Sequence, residues 1–141
     1  MMVGMFVLPF SSLRVWLLRL CGVTIGDGCY VGFNVAFDTN YPSLIHIGRN
    51  VTISHDVMIV THTATPAASL LGRLYRSAEP VVIGDGAWIA ARSLLLPGVE
   101  IGRNCMIGAG SVVTGNTEPD SLYAGNPARK IKSLGFPVEA S

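Results

Sequence analysis

Charge is scarce in this chain: Asp, Glu, Lys and Arg supply 13% of its 141 residues, about half the share usual in soluble proteins. The few charges nearly cancel, leaving +1, so there is no general attraction for nucleic acid or an anionic membrane. Neither is expected as a partner. Cysteine is scarce too. Cys21, Cys29 and Cys105 are an odd number without metal-ligand spacing, which excludes a disulfide framework and suits a reducing compartment, the cytoplasm. The apolar segment near the N-terminus is shorter than the ~20 residues of a bilayer span and lacks the positive start of a signal peptide. Only hydrophobic residues are abundant, at 50%. That surplus must fill a core or contacts between copies, so a homo-oligomer is expected.

What the sequence does have is order. Residues 83–118 read IGDGAW IAARSL LLPGVE IGRNCM IGAGSV VTGNTE, with Ile83, Ile89, Leu95, Ile101, Ile107 and Val113 at one place in six. Two residues ahead of each following aliphatic stands a smaller residue: Ala87, Ser93, Val99, Cys105, Ser111. Six units without a slip are a repeat architecture. Residues two apart share one side of a strand, so both series point inward. Gly84, Ala90, Gly102 and Gly108, which follow the aliphatics, are expected where the chain turns a tight corner. Three such faces close a triangular coil, and coils stack about 4.8 Å apart by backbone pairing. The fold class is an all-β solenoid, a parallel β-helix of hexapeptide repeats. Cys29 and Cys105 fall on the small inward place and read as buried small hydrophobes.

Three parts are expected: a helical cap over residues 1–22, the β-helix over 23–118, and a closing segment over 119–141. In the cap, SSLRVWLLRL carries a Ser at the N-cap and Gly22 at the helix end, with Arg14 and Arg19 on a short amphipathic helix. Its expected role is to cover the open end of the prism, where unpaired backbone invites aggregation, rather than to meet a membrane surface or another subunit. The repeat starts at Ile25, Val31 and Phe37, admits four extra residues at 41–44, and resumes at Ile47, Ile53 and Ile59. Residues 64–80 then break the pattern, although Ile59 and Ile83 stand four whole hexads apart. So long an interruption is expected to be an extruded arm, and such loops are commonly functional. Its LLGRLY suits a brief helical turn, and Arg73 and Arg76 are expected to stay solvated.

A β-helix interior is filled with methyl groups, so chemistry has to sit outside, in clefts between prisms or under an arm. His62 lies in IVTHT, directly before the arm and at an outward place of its hexad. An imidazole takes up a proton near pH 7 and can be held dry and oriented in a cleft. The neighbouring arm favours that role over a merely solvated histidine. His46 and His55 are read as structural or solvated. Asp38 sits where Gly is frequent in other hexads, so a carboxylate there needs a reason, though a turn hydrogen bond would suffice. Asn34 suits either a corner or a polar contact.

The hexads, the His62 segment with its arm, the run VVIGDGAWIAARSLLLPGVEIGRNCMIGAGSVVTG and the closing AGNPARKIK resemble the hexapeptide acyltransferases. More narrowly they are similar to the maltose, galactoside, nodulation and polysaccharide O-acetyltransferases, over residues 22–132. The resemblance implies a left-handed β-helix, an exception to the right-handed crossover rule, assembled as a homotrimer. It also implies acetyl-CoA as co-substrate in the groove between prisms, no metal, and a saccharide or similar acceptor. By similarity His62 is the general base of direct acetyl transfer. Trp88 matches a tryptophan near the pantetheine arm, and Ala91 and Ala109 match positions whose backbone N–H groups bond it. Thr114 and Lys132 match positions near the nucleotide end. Gly115 stands where some relatives carry a lysine, a missing phosphate contact for which Arg129 and Lys130 could compensate. Asn34 and Asp38 match polar residues that bind the acceptor or orient the histidine.

Other classes compete. The γ-class carbonic anhydrases share this fold and hold zinc with three histidines across a trimer interface. This chain has three histidines, but they occupy different places in their hexads and do not align on one face. A non-catalytic β-helix would need neither coenzyme A nor His62. A xenobiotic acetyltransferase acting on an antibiotic hydroxyl would share the base and the arm.

Overall fold

The computed structural model describes residues 9–75 and 77–137. The first eight residues of the expected cap, Arg76 of the arm and the last four residues of the closing segment lie outside the described residues. The strands stack into three sheets, the walls of a prism. Face 1 holds β1 (Thr24–Ile25), β4 (Ile45–Ile47), β7 (Val81–Ile83) and β10 (Glu100–Ile101). Face 2 holds β2 (Tyr30–Val31), β5 (Thr52–Ile53), β8 (Trp88–Ile89), β11 (Met106–Ile107), β13 (Ser121–Gly125) and β14 (Ala128–Ser133). Face 3 holds β3 (Ala36–Phe37), β6 (Met58–Ile59), β9 (Leu94–Leu95) and β12 (Val112–Val113). All neighbours pair in parallel except β13 with β14, which form an antiparallel hairpin.

The register follows the hexads. Ile83 pairs with Ile101, Ile89 with Ile107 and Leu95 with Val113, each eighteen residues on. Ile25 pairs with Ile47 and Val31 with Ile53, twenty-two residues on, because the four-residue insert, a 3-10 turn at Pro42–Leu44, lies between them. Ile47 pairs with Ile83 across thirty-six residues, so the arm consumes as much chain as one whole coil. The aliphatics from Ile47 to Val113 are at most 3% exposed, and the small series Ala87, Ser93, Val99, Cys105 and Ser111 at most 1%. Its hydroxyls are satisfied inside: Ser93 Oγ donates to Ala90 O at 2.8 Å and Ser111 Oγ to Gly108 O at 2.6 Å, as buried polar groups require.

The corner glycines need a correction. Left-handed φ values, from 51° to 80°, fall three residues after the aliphatics, at Gly28, Asn34, Asn50, Asp56, Gly86, Arg92, Gly98, Asn104 and Gly110. That is where the chain turns, and Gly, Asn and Asp dominate there because their φ cost is lowest. The glycines directly after the aliphatics serve close approach instead. A Cβ on Gly84 would stand 2.6 Å from Arg103 N, and one on Gly32 2.6 Å from His55 N, both backbone atoms of the next coil.

Two further expectations change at the ends. In α1 (Ser11–Leu20) the N-cap is Phe10, which makes no side-chain cap bond. Ser11 Oγ accepts from Val31 N at 2.8 Å instead, because the free edge of the first coil competes for it. Arg14 does not face water: it is buried, its Nε donates to Val31 O at 2.8 Å, and its guanidinium lies 4.5 Å over the Phe33 ring. Arg19 donates to Ile25 O, Gly26 O and Asp27 Oδ1, each at 3.0 Å. Gly22, at φ 100°, ends the helix as expected. At the other end the ladder does not stop at residue 118; β13 continues it on β11 before the hairpin folds back.

Gly84→Ala should destabilise by about 1–3 kcal/mol through overpacking between coils. Gly115→Ala, whose Cβ meets nothing within 4 Å, should change stability by no more than about 0.5 kcal/mol. Equal losses in urea unfolding would remove the close-approach explanation.

Candidate active site

The chain passes from face 3 to face 1 at one corner, and both interruptions of the repeat, the 3-10 turn and the arm, lie at that corner. Asn40 and His62 stand there three residues after Phe37 and Ile59, at the turning place of their hexads and one coil apart. At the face 2–face 3 corner the equivalent residues form a rung, with Asn34 Nδ2 donating to Asp56 Oδ1. Asn40 Nδ2 approaches His62 Nε2 at 3.2 Å in the same way. The imidazole thus replaces a structural rung.

Asp38 holds its other nitrogen. The Asp38 side chain is 5% exposed, and its Oδ2 accepts from His62 Nδ1, from Thr61 Oγ1 at 2.8 Å and from Thr61 N at 3.0 Å. Oδ1 accepts from Asn40 N at 3.0 Å. Burial pushes this carboxyl up, but the hydrogen bonds from His62, the Thr61 hydroxyl and amide, and the Asn40 amide together outweigh it. They hold its pKa at about 2. An ionised Asp38 accepts a hydrogen bond from Nδ1–H, which assigns the tautomer and leaves the Nε2 lone pair toward the Asn40 amide and the cleft. Tyr41 packs edge-on against the imidazole, ring centroids 5.3 Å apart.

The arm is zipped on both sides of the histidine. His62 bridges Ala78 in antiparallel fashion, Thr63 N donates to Ser77 O at 2.9 Å, and Glu79 N donates to Thr61 O at 2.8 Å. LLGRLY forms the expected helical turn, α2 (Leu70–Tyr75), and Arg73 on it is exposed. Two clefts open beside His62. One of about 620 Å³ lies under the arm, lined by Asn40, Tyr41, His62, Thr63, Thr65 and Ser77 among others. The other, about 300 Å³, runs along face 3 past Asp38, Asn40, Met58 and Val60. Asn40 and His62 border both. Thr65 Oγ1 is buried without a partner among the described residues, which leaves unused hydrogen-bonding capacity beside the larger cleft.

Of the residues singled out from the sequence, the structure brings Asp38 to His62 and leaves the others elsewhere. Asn34 is a left-handed corner residue between faces 2 and 3, as are the stretches holding Ala91 and Ala109. Trp88 stands half-exposed on β8 of face 2, its Nε1 donating to Ser54 Oγ at 3.2 Å. Face 2 is the wall opposite the His62 corner. Thr114 and Gly115 follow β12 at the His62 corner, further along the prism. Arg129 and Lys132 are exposed on β14. Lys130 is paired with Glu118, whose carboxylate hydrogen bond raises the ammonium pKa. His46 points out from face 1 and His55 sits at the face 2–face 3 corner. Among the described residues no three His, Cys, Asp or Glu side chains gather to hold a metal. Asn40, Tyr41 and Thr61 were not anticipated. Asn40 was legible in principle, since it lies one inserted coil, twenty-two residues, before His62.

Comparison with known proteins agrees with this fold. The family model described as bacterial transferase hexapeptide (six repeats) matches residues 80–115, and the hexapeptide repeat of succinyl-transferase matches residues 20–38. Galactoside O-acetyltransferase of Escherichia coli K12 is 34% identical, over 86% of this chain and 68% of that protein. The chain spans 62% of a relative from Staphylococcus aureus Mu50. Among solved structures, a hexapeptide-repeat acetyltransferase of Vibrio cholerae complexed with acetyl coenzyme A superposes with TM-score 0.78 at 25% identity, covering 95% of this chain and 83% of that one. A maltose O-acetyltransferase of Clostridium difficile 630 superposes with TM-score 0.71 at 31% identity, covering 91% and 78%. Fold and repeat define a left-handed β-helix of the hexapeptide-transferase class. The chain belongs to the hexapeptide-repeat acetyltransferases, the family of galactoside and maltose O-acetyltransferases.

Because the folded pKa of Asp38 lies below its ordinary 3.8, its ionised form stabilises the fold above about pH 4, and that contribution is lost as pH falls through about 2. Asp38→Asn should lower stability at neutral pH and flatten the acid limb of a thermal-unfolding profile between these values. An unaltered limb would show that these hydrogen bonds do not hold the carboxylate.

Proposed function

We propose that the protein transfers the acetyl group of acetyl-CoA to a hydroxyl of a saccharide or a similar polyhydroxylated acceptor, with His62 as general base. The observation that carries this reading is the Nε2 of His62, oriented through Nδ1 by a buried carboxylate and bordering two clefts. The acceptor hydroxyl displaces the Asn40 amide from Nε2 and gives its proton to it. The oxygen attacks the thioester carbonyl, the C–S bond breaks, and the departing thiolate takes the proton from the imidazolium. Asp38 stabilises that imidazolium without itself being protonated. Direct transfer needs no covalent enzyme intermediate, and Cys105 is buried away from the site. The reducing cytoplasm, where its three unpaired thiols persist, is the proposed compartment.

The same reading makes the enzyme a homotrimer with sites between subunits. Outward residues of faces 2 and 3 include Tyr30, Trp88 and Met58, each 48% exposed, and α2 exposes Leu70, Leu71, Leu74 and Tyr75. Apolar surface of that extent suits subunit contact. The coenzyme groove would combine the His62 corner of one prism, with Thr114 further along it, and Trp88, Ala91, Ala109, Arg129 and Lys132 of the neighbouring prism, and Asn34 would serve the acceptor.

His62→Ala should lower kcat by about 10²–10⁴-fold while leaving the assembly and coenzyme A affinity in place. Asp38→Asn should lose a comparable factor, since an amide can present the wrong hydrogen-bond partner to Nδ1. Thiol release from acetyl-CoA, measured against a panel of sugars, nucleotide sugars and hydroxylated antibiotics, tests both variants and the acceptor class. Near-normal turnover by His62→Ala would sink the mechanism. Gly115→Lys should reduce the KM for acetyl-CoA roughly two- to fivefold, the worth of one exposed ion pair, without loss of stability. An unchanged KM would mean that the phosphates do not pass this corner.

A further inference from the structure

We propose that the outer face of α1 is a lipid-contacting surface, which holds the protein on a membrane by shallow hydrophobic insertion. The helix buries Arg14, ties the half-exposed Arg19 back onto the first coil, and turns its large apolar groups outward. Arg14 is 2% exposed and bonded to Val31 O, and Arg19 is tied to Ile25 O, Gly26 O and Asp27. Phe10, Leu13, Trp16 and Leu20 are 67%, 36%, 54% and 66% exposed. Their spacing of three, three and four places them on one stripe, about 15 Å long. A cap helix facing water would carry the opposite pattern, with polar residues outward.

The four stripe residues carry no charge, so the matching occupant is an acyl layer rather than a charged protein. No helix among the described residues is long and apolar enough to cross a membrane, so α1 lies in the interface, where Trp16 suits the boundary between headgroups and acyl chains. Its position fits. α1 packs on β1 and β2, at the end of the prism, so copies packed side by side leave its outer face uncovered. On the trimer reading above, on which this step rests, three stripes point to one plane, and three weak contacts add into a firm one. His62 follows the second coil from that end, roughly 5–10 Å along the axis.

Vesicle flotation tests the proposal. The wild type should float with neutral phosphatidylcholine vesicles as well as with vesicles containing anionic lipid, and should stay bound in high salt. The exposed substitutions Leu13→Ser, Trp16→Ser and Leu20→Ser together should reduce partitioning by roughly tenfold or more, with the β-sheet circular dichroism and the sedimenting mass unchanged. In a Trp88→Phe background, Trp16 fluorescence should shift to the blue on adding neutral vesicles. Failure of the wild type to float would overturn the proposal, as would binding that requires anionic lipid and vanishes in salt. So would a doubled sedimenting mass without lipid that the triple variant abolishes, which would assign the stripe to end-to-end contact between copies. None of these readings depends on acetyl transfer, and the sedimenting mass reports the trimer separately.

Discussion

Backbone pairing between coils, at a register fixed by the eighteen-residue turn, is the constraint from which the rest follows. It sets every residue over its counterpart in the next coil, so the chain is built in columns. One column is aliphatic and fills the prism; a second is small and fits beside it. A third must lack a Cβ because the next coil passes within contact distance, as at Gly32 and Gly84. A fourth turns the corner with positive φ. Extra chain enters such a stack only where it does not disturb pairing, at a corner. Both insertions enter at the same one, between faces 3 and 1.

That corner carries the site because the constraint is relaxed there. His62 and Asn40 occupy the turning column, yet neither needs the left-handed φ found at the other corners, since the insert and the arm take over the change of direction. Asp38 occupies the close-approach column. A buried carboxylate there would be costly alone, and four hydrogen bonds offset the burial, one of them from the imidazole it orients. The arm then closes on the histidine through its own two legs, so the segment that encloses the cleft also fixes the group that works in it.

The sequence shows its columns more readily than their causes. The inward aliphatics, the small partners and the arm were legible because a period of six is hard to mimic and its failure at residues 64–80 is abrupt. The two kinds of glycine were confused because spacing alone does not separate close approach from positive φ. Asn34, Asn50 and Asn104 in the turning column were the clue, since asparagine tolerates φ above zero but gains nothing from close approach. Asn40 escaped notice because the four-residue insert hides its alignment with His62. In α1, helical periodicity correctly found a two-sided helix but did not say which way its arginines turn. It gives no weight to the unpaired carbonyls at the open end of the prism, which bury Arg14 and tie the half-exposed Arg19 to the first coil. Beyond residue 118 the hexads end while the pairing does not, because β13 needs backbone, not an aliphatic repeat, to extend face 2.

The division of residues within one chain bears on how such a site can work at all. His62 stands at one corner, whereas Trp88 is on the opposite wall, and aliphatic side chains fill the space between. No conformational change of a packed prism brings them together. On the proposed reading the meeting happens around the outside, with the corner of one prism set against the wall of another. Assembly is then a requirement of the chemistry and not an addition to it. On that reading the low charge content has the same origin: walls set against neighbouring prisms leave less open surface on which to place charged side chains.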